Sequence, residues 1–149
     1  CFLKALLSDD LEGMNDYMNE VSGEMFSSFD TGKKPSDKAQ PERFYHGFVL
    51  GLLAQLQDRY VITSNRESGL GRYDIMIEPK RAGDVAFIIE FKVVHAKRQE
   101  TLEDGVKAAL QQIEEKRYEA VLLSRGIEPG KIRKYGFAFE GSRVLIGSA

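Results

Sequence analysis

The stretch GRYDIMIEPKRAGDVAFIIEFKVV, residues 71–94, contains two strand patterns separated by a turn. In residues 72–77, apolar side chains alternate with Asp74 and Met76, which is typical of a strand. Residues 85–94 form a nearly continuous apolar run, which indicates a strand covered on both faces. A proline and a glycine in the segment between the two patterns favour a turn. We therefore predict a hairpin in the interior of a sheet.

Three charged residues interrupt these strands: Asp74 in the first, and Glu90 and Lys92 in the second. Successive side chains of a strand point to opposite faces, so Glu90 and Lys92 share one face. Pairing of the two strands would place Asp74 beside Glu90, roughly 5 Å away. Because burial of an unpaired ion costs on the order of several kcal/mol, charges in such a run are usually paired or bind a metal.

Two neighbouring carboxylates provide hard oxygen ligands, which suit Mg²⁺ or Mn²⁺ rather than zinc. Such a cation lowers the pKa of a bound water and polarises a phosphoryl oxygen. The Lys92 ammonium would orient the attacking water and offset the charge that accumulates on the pentavalent phosphorus. We therefore interpret Asp74, Glu90 and Lys92 as a site for phosphodiester hydrolysis without a covalent intermediate.

The pattern resembles the signature of the PD-(D/E)XK nuclease superfamily, an Asp on one strand followed by Glu/Asp-x-Lys on the next. Other stretches resemble one branch of that superfamily, the nuclease-like domain found C-terminal to an AAA-ATPase-like domain in many bacterial proteins of unknown role. These stretches are residues 42–48, 64–74, 109–113 with Lys116 and Tyr118, and 135–139. The resemblance covers about residues 42–146.

The resemblance implies an α/β fold with a restriction-endonuclease-like core, in which a mixed central β-sheet is flanked by helices. A C-terminal β-hairpin would extend that core. Asp74 and Glu90 would be metal ligands, with the Phe91 carbonyl as a third ligand and Lys92 at the attacking water. The expected cofactor is Mg²⁺ or Mn²⁺, and the expected partner is nucleic acid, with DNA as the leading substrate.

Two more catalytic candidates, Glu42 and Gln112, follow from the resemblance. The glutamate that matches Glu42 approaches the metal site, and the glutamine that matches Gln112 faces the cleft with Tyr118 nearby. From the residues alone, Glu42 is equally a helix-start carboxylate favoured by the helix dipole, and Gln112 is an ordinary surface residue. Glu67 and Arg72 are secondary candidates for the metal and a phosphate, but they can also form an ion pair.

Periodicity and turn residues predict the remaining elements. These are a helix over 41–58, a strand over 60–65, a helix from Thr101, a strand over 119–123, and a hairpin of 135–140 with 143–146 turning at Gly141-Ser142. Thr101 followed by Asp104 resembles a capped helix start. The predicted order is therefore helix, three strands, helix and strand, followed by the hairpin extension.

The N-terminal segment differs from the rest in charge. Residues 1–30 are strongly acidic, so the net charge of -2 leaves a basic remainder. That remainder would suit a phosphate-facing surface, and an ordinary solvated surface explains it equally well. Apolar spacing predicts one or two short helices in residues 1–30, and polar composition predicts a loop over 27–40.

We predict an N-terminal helical extension and linker over residues 1–40 and a nuclease-like domain over residues 41–149. The chain starts with Cys1 rather than Met, and residues 1–30 show a weaker likeness to the segment that joins ATPase and nuclease-like parts. We therefore expect a fragment of a longer protein, with an N-terminal AAA-ATPase-like domain as its partner in the full-length chain.

Composition limits the compartment and the size of the core. A chain of 149 residues with 42% hydrophobic content suffices for one globular domain. Its one cysteine cannot form an internal disulfide. No stretch approaches the roughly 18 apolar residues that span a bilayer. We expect a cytoplasmic protein without a membrane partner.

Three functional hypotheses remain open at this point. The leading one is a Mg²⁺- or Mn²⁺-dependent DNA endonuclease or exonuclease. The second is a non-catalytic nucleic-acid-binding or protein-interaction module of a larger ATPase-linked protein. The third is a buried salt-bridge network in which Lys92 neutralises one carboxylate. Metal affinity separates the third hypothesis from the first.

Overall fold

Five strands form one mixed sheet at the centre of the structure, a computed structural model that describes residues 1–29, 40–67 and 72–149. The strands are β1 (Tyr60–Glu67), β2 (Arg72–Pro79), β3 (Ala86–Val93), β4 (Ile132–Glu140) and β5 (Arg143–Ser148). They lie side by side in chain order. Neighbouring strands are antiparallel except β3 and β4, which are parallel.

Helices cover both faces of this sheet. They are α1 (Phe2–Leu7), α2 (Leu11–Phe29), α3 (Gln40–Leu53), α4 (Leu102–Glu115) and α5 (Tyr118–Ser124). Alternation along β3 sends Phe87 and Ile89 into a core shared with α1, α2 and α3. Ala86 and Ile88 point the other way and pack with residues of α4 and α5. The predicted mixed α/β fold is confirmed, and it is consistent with a restriction-endonuclease-like core.

Helix α3 is shorter than the predicted helix over 41–58. It ends at Leu53, and a 3₁₀ turn follows over Ala54–Leu56. The fully buried Tyr45 anchors it to the sheet, because its ring stacks on Phe139 with centroids 3.9 Å apart. The Tyr45 phenol also donates a hydrogen bond to the Gly141 carbonyl at 2.7 Å.

The predicted strand over 119–123 is wrong, because these residues lie in helix α5. Leu122 is its buried residue, whereas Val121 and Leu123 are 43% and 40% exposed. A short apolar run does not distinguish a strand from a helix by periodicity alone. The fourth strand of the core is instead β4, beside β3, and β5 extends the sheet beyond it.

Helix α4 begins at the predicted capped start. The Thr101 hydroxyl accepts a hydrogen bond from the Asp104 N–H at 3.1 Å, and the Asp104 carboxylate accepts one from the Thr101 N–H at 3.3 Å. The helix lies close to β4 at Gly136, where an added Cβ would be 2.8 Å from the Val106 carbonyl oxygen. Only glycine allows the helix and the sheet to approach this closely here.

The C-terminal hairpin of β4 and β5 is confirmed, with Glu140 paired to Arg143 across the predicted turn. Helix α2 runs along β5, and two of its asparagine side chains bond to the β5 backbone. Asn15 bonds to Ile146 and Asn19 bonds to Val144, and we term this set of contacts the asparagine ladder. Asn15 donates to the Ile146 carbonyl at 3.0 Å and accepts from the Ile146 N–H at 2.8 Å.

Asn19 makes the same pair of bonds with Val144, at 2.7 and 2.9 Å. Side chains four residues apart on a helix are about 6 Å apart along its axis, which matches two residues of a strand. Helix α2 therefore takes the place of a neighbouring strand at the β5 edge.

Helices α1 and α2 confirm the prediction of one or two helices in residues 1–30. Of the loop predicted over 27–40, residues 27–29 belong to α2 and residue 40 to α3, and residues 30–39 lie outside the described residues. The division of the chain near residue 40 therefore stays a prediction. Among the described residues, no helix combines the length and the apolar character needed to cross a membrane.

Candidate active site

Strand pairing brings the predicted carboxylates together. Asp74 on β2 lies directly opposite Glu90 on β3, as predicted. The row continues across the sheet, because Asn65 on β1 pairs with Asp74 and Gly136 on β4 pairs with Glu90. Both carboxylate residues are only 2% exposed. Two acidic side chains are thus adjacent and almost removed from water.

Two neutral side chains donate hydrogen bonds to the Asp74 carboxylate, and the backbone of Asp74 itself adds another. Asn65 Nδ2 donates a hydrogen bond to Asp74 Oδ2 at 3.2 Å, and the Tyr118 side chain also hydrogen-bonds to the carboxylate. Burial raises the pKa of Asp74 above its ordinary value, because desolvation penalises the charged form. The hydrogen bonds from Asn65 and Tyr118 act in the opposite direction, since they stabilise the ionised carboxylate.

Asn65 was not among the candidates found from the sequence, and Tyr118 was noted only as a neighbour of Gln112. The sequence could have predicted that a residue of β1 lies opposite Asp74, since a strand paired with β2 must place one there. Its identity depends on the register of β1 and β2, which the sequence pattern did not define. Tyr118 depends on α5 being a helix, which the sequence reading missed.

A small cleft beside Glu90 is lined by two other predicted catalytic residues, Lys92 and Gln112. It is lined by Glu90, Phe91, Lys92, Ala108, Ala109 and Gln112. Residues of β3 form one wall of the cleft and α4 forms the other. Ala108 and Ala109 of α4 have small side chains, which leave space in the cleft. The structure therefore brings Gln112 together with Glu90 and Lys92, although its role stays a prediction.

Lys92 points to the same side of β3 as Glu90, and its side chain is half-buried. Within the described part of the chain, Lys92 forms no ion pair with Asp74, Glu90 or any other carboxylate. The hypothesis of a structural salt-bridge network assigned Lys92 to neutralise one carboxylate, and the geometry does not support that role. Lys92 lines the cleft instead.

Glu42 lies in the first turn of α3, and its side chain falls outside the described residues, so its role stays a prediction. Glu67 and Arg72 are opposite each other at the ends of β1 and β2. The structure does not describe their side chains, so their roles also stay predictions. His46, one turn after Glu42, contacts the Phe91 ring at 5.9 Å on the other face of β3 from Glu90.

The donor set fits Mg²⁺ or Mn²⁺ better than zinc. Among the described residues, no group of three His, Cys, Asp or Glu side chains is placed to hold a metal. Structural and catalytic zinc sites need at least three protein ligands, commonly nitrogen or sulfur. Mg²⁺ retains several waters and needs only one or two carboxylates, which Asp74 and Glu90 would supply.

Comparison with known proteins gives one family. No curated protein and no solved structure matches the chain significantly. The family model described as the PD-(D/E)XK nuclease superfamily matches residues 40–149, a range that contains all five strands and the carboxylate row. The chain therefore belongs to the PD-(D/E)XK nuclease superfamily.

Proposed function

We propose that this chain is a divalent-metal-dependent nuclease domain that hydrolyses phosphodiester bonds of nucleic acid, with DNA as the leading substrate. One observation carries the proposal: Asp74 and Glu90 lie opposite each other, each 2% exposed, with Lys92 on the same face of β3. A structural role alone would favour apolar residues at such positions, because burial of adjacent negative charges is costly.

Asp74, Glu90 and the Phe91 carbonyl would hold the cation, Mg²⁺ or Mn²⁺. When bound, such an ion supplies a Lewis acid for the phosphate and promotes ionisation of water. Lys92 lines the cleft, where its ammonium would donate hydrogen bonds to the phosphate and stabilise the charge that develops on the phosphate oxygens. Gln112 offers an amide across the same cleft, to the attacking water or the scissile phosphate. Glu42 remains a candidate through the resemblance described above.

The resemblance also supports proposals about the larger protein. An AAA-ATPase-like domain N-terminal to this chain would be its partner within the full-length protein. The single cysteine agrees with a cytoplasmic location, where nucleic acid and millimolar Mg²⁺ are both present. These proposals concern the context of the site and leave its chemistry unchanged.

The direct test is cleavage of end-labelled single-stranded DNA, duplex DNA and RNA in Mn²⁺ and in Mg²⁺. Wild type and Glu90→Gln are compared, because this substitution keeps the shape and removes the charge. We expect cleavage by wild type alone, and the most rapidly cleaved polymer identifies the substrate class. Circular dichroism of both proteins checks that they are folded.

Two outcomes would contradict the proposal. Equal cleavage by both proteins would assign the activity to a contaminant. Absence of cleavage by the folded wild type, with binding to the same DNA retained, would favour a non-catalytic binding module. Repeating the assay with a longer protein that includes the proposed ATPase-like domain then tests whether that domain is required.

A further inference from the structure

We propose that Asn65 and Tyr118 are positioning residues that hold the Asp74 carboxylate for its metal, so that β1 and the α4–α5 junction are parts of the site. The inference rests on the proposed function, since it assigns these residues to the metal ligand. It goes beyond that function by identifying two residues outside the D…E-x-K signature, on elements that precede and follow it.

The first support is the location of the Asp74 carboxylate. At 2% exposure, this side chain has almost no access to solvent, so its orientation depends on protein donors. An ionised carboxylate has about four acceptor positions on its two oxygens. Two side-chain donors and the backbone of Asp74 itself therefore fix the group and still leave an acceptor position for a cation.

Asn65 is held by the sheet itself. It is the residue of β1 directly opposite Asp74, and its amide reaches Asp74 Oδ2 at 3.2 Å. Ser64, the preceding residue of β1, points to the other face, where its hydroxyl lies 2.6 Å from His46 Nε2. The register of β1 against β2 therefore decides which polar side chain contacts the ligand.

Tyr118 is held by a turn and by packing. It is the first residue of α5, and it follows Arg117, whose left-handed conformation at φ 51° and ψ 41° redirects the chain after α4. Its ring packs against the core cluster that contains Met76, Ile88 and Leu122. A residue anchored in this way presents its hydroxyl to Asp74 at little cost in side-chain entropy.

Both donors are neutral, which separates them from a structural ion pair. They leave the negative charge of Asp74 in place, whereas a lysine partner would compete with the metal for it. Hydrogen-bonding partners of metal ligands commonly contribute 10–100-fold to metal affinity. We expect a loss on that order, roughly 10–100-fold, for each of these donors.

The experiment measures Mn²⁺ binding by isothermal titration calorimetry for wild type, Tyr118→Phe, Asn65→Ala and Asp74→Asn. Tyr17→Phe on α2 and Ser64→Ala on the other face of β1 are the matched controls. We expect Tyr118→Phe and Asn65→Ala to bind Mn²⁺ about 10–100-fold more weakly, and both controls to bind as wild type does. Cleavage by the two donor variants should recover at saturating Mn²⁺, and circular dichroism in EDTA shows whether each variant is folded before the metal is added.

The outcomes separate this inference from the proposed function. Wild-type Mn²⁺ affinity in both donor variants would overturn the inference and leave the nuclease proposal standing. Mn²⁺ binding that depends on Asp74 and on both donors, without cleavage of any polymer, would support the inference and contradict the nuclease proposal. If the wild type binds no Mn²⁺, both are overturned.

Discussion

Two polar clusters at different parts of the sheet, the asparagine ladder and the carboxylate row, differ in charge and in how their polar groups are partnered. The asparagine ladder at β5 pairs each donor with an acceptor, and all of its groups are neutral. The carboxylate row at β2 and β3 instead buries two acidic side chains next to each other, and the identified donors to Asp74 are neutral. The ladder stabilises the fold, whereas the row concentrates acidic side chains where we propose that a cation binds.

The difference shows how to read a buried polar group. Hydrogen-bonded amides at a strand edge satisfy backbone groups and protect an edge that would otherwise pair with another chain. Burial of adjacent carboxylates at 2% exposure instead carries a cost, because desolvation opposes their ionised form. Departures from the usual rules of stability are expected at functional sites.

The largest effect should come from the cleft. Replacement Lys92→Met removes the ammonium and keeps most of the side-chain length. We expect the cleavage rate in Mn²⁺ to fall by about 10²–10³-fold, because a positioned charge that stabilises the transition state is lost. The control is Lys4→Met, which alters an exposed lysine on α1. Cleavage by the Lys92 variant within a few-fold of wild type would contradict this role.

Removal of the asparagine ladder should lower the stability of the fold and leave the cleavage rate unchanged. The double variant Asn15→Ala/Asn19→Ala removes the partners of two N–H and two C=O groups on β5. We expect the free energy of unfolding to fall by about 2–4 kcal/mol, at about 1–2 kcal/mol for each asparagine. Urea denaturation followed by circular dichroism measures this loss.

Size-exclusion chromatography of the same double variant tests whether an unprotected β5 edge associates with a second copy. A loss below about 0.5 kcal/mol would show that water replaces the ladder without cost. The cleavage rate of the folded fraction should stay near that of wild type. A selective loss of activity would instead connect the ladder to the site.

A glycine in the row tests how closely α4 must approach it. In Gly136→Ala, the new methyl group would lie 2.8 Å from the Val106 carbonyl oxygen and 3.1 Å from the Ala109 Cβ. We expect destabilisation by about 1–3 kcal/mol, because helix and sheet must separate. The matched control is Gly51→Ala in α3, where an added Cβ meets nothing within 4 Å and should stabilise the helix. Thermal unfolding of both variants gives the comparison.

The smallest effect concerns pH, and it separates the charged row from the neutral ladder. Burial raises the folded-state pKa of Asp74 above its unfolded value, so the native state binds the proton more tightly. Without metal, its contribution to stability therefore decreases as pH rises from the unfolded pKa through the folded pKa. The substitution Asp74→Asn removes the ionisable group, and with it this decrease in stability at higher pH.

Thermal unfolding in EDTA at neutral pH and at a pH below about 3.9 measures this effect. We expect Asp74→Asn to be more stable than wild type at neutral pH, with the difference diminishing in acid. The ladder variants should show the same stability difference at both pH values. A pH-independent effect of Asp74→Asn would indicate that its carboxylate is not penalised by burial.

Much of the fold could be read from local patterns. Alternation in residues 72–77 and the apolar run of 85–94 predicted β2 and β3, and Thr101 with Asp104 predicted the start of α4. Such patterns work because period, turn residues and caps act over a few residues of chain. The error at 119–123 arose where a short apolar run carried no period that separates helix from strand.

The candidate site divides in the same way. The types and order of Asp74, Glu90 and Lys92, and their placement on adjacent strands, followed from the sequence, because side-chain direction in a strand has a fixed period of two. The contacts of Asp74 with Asn65 and Tyr118 were decided only by the tertiary structure. They depend on the register of β1, on the left-handed turn at Arg117 and on the docking of α5. These are long-range arrangements, and no local pattern of residues encodes them.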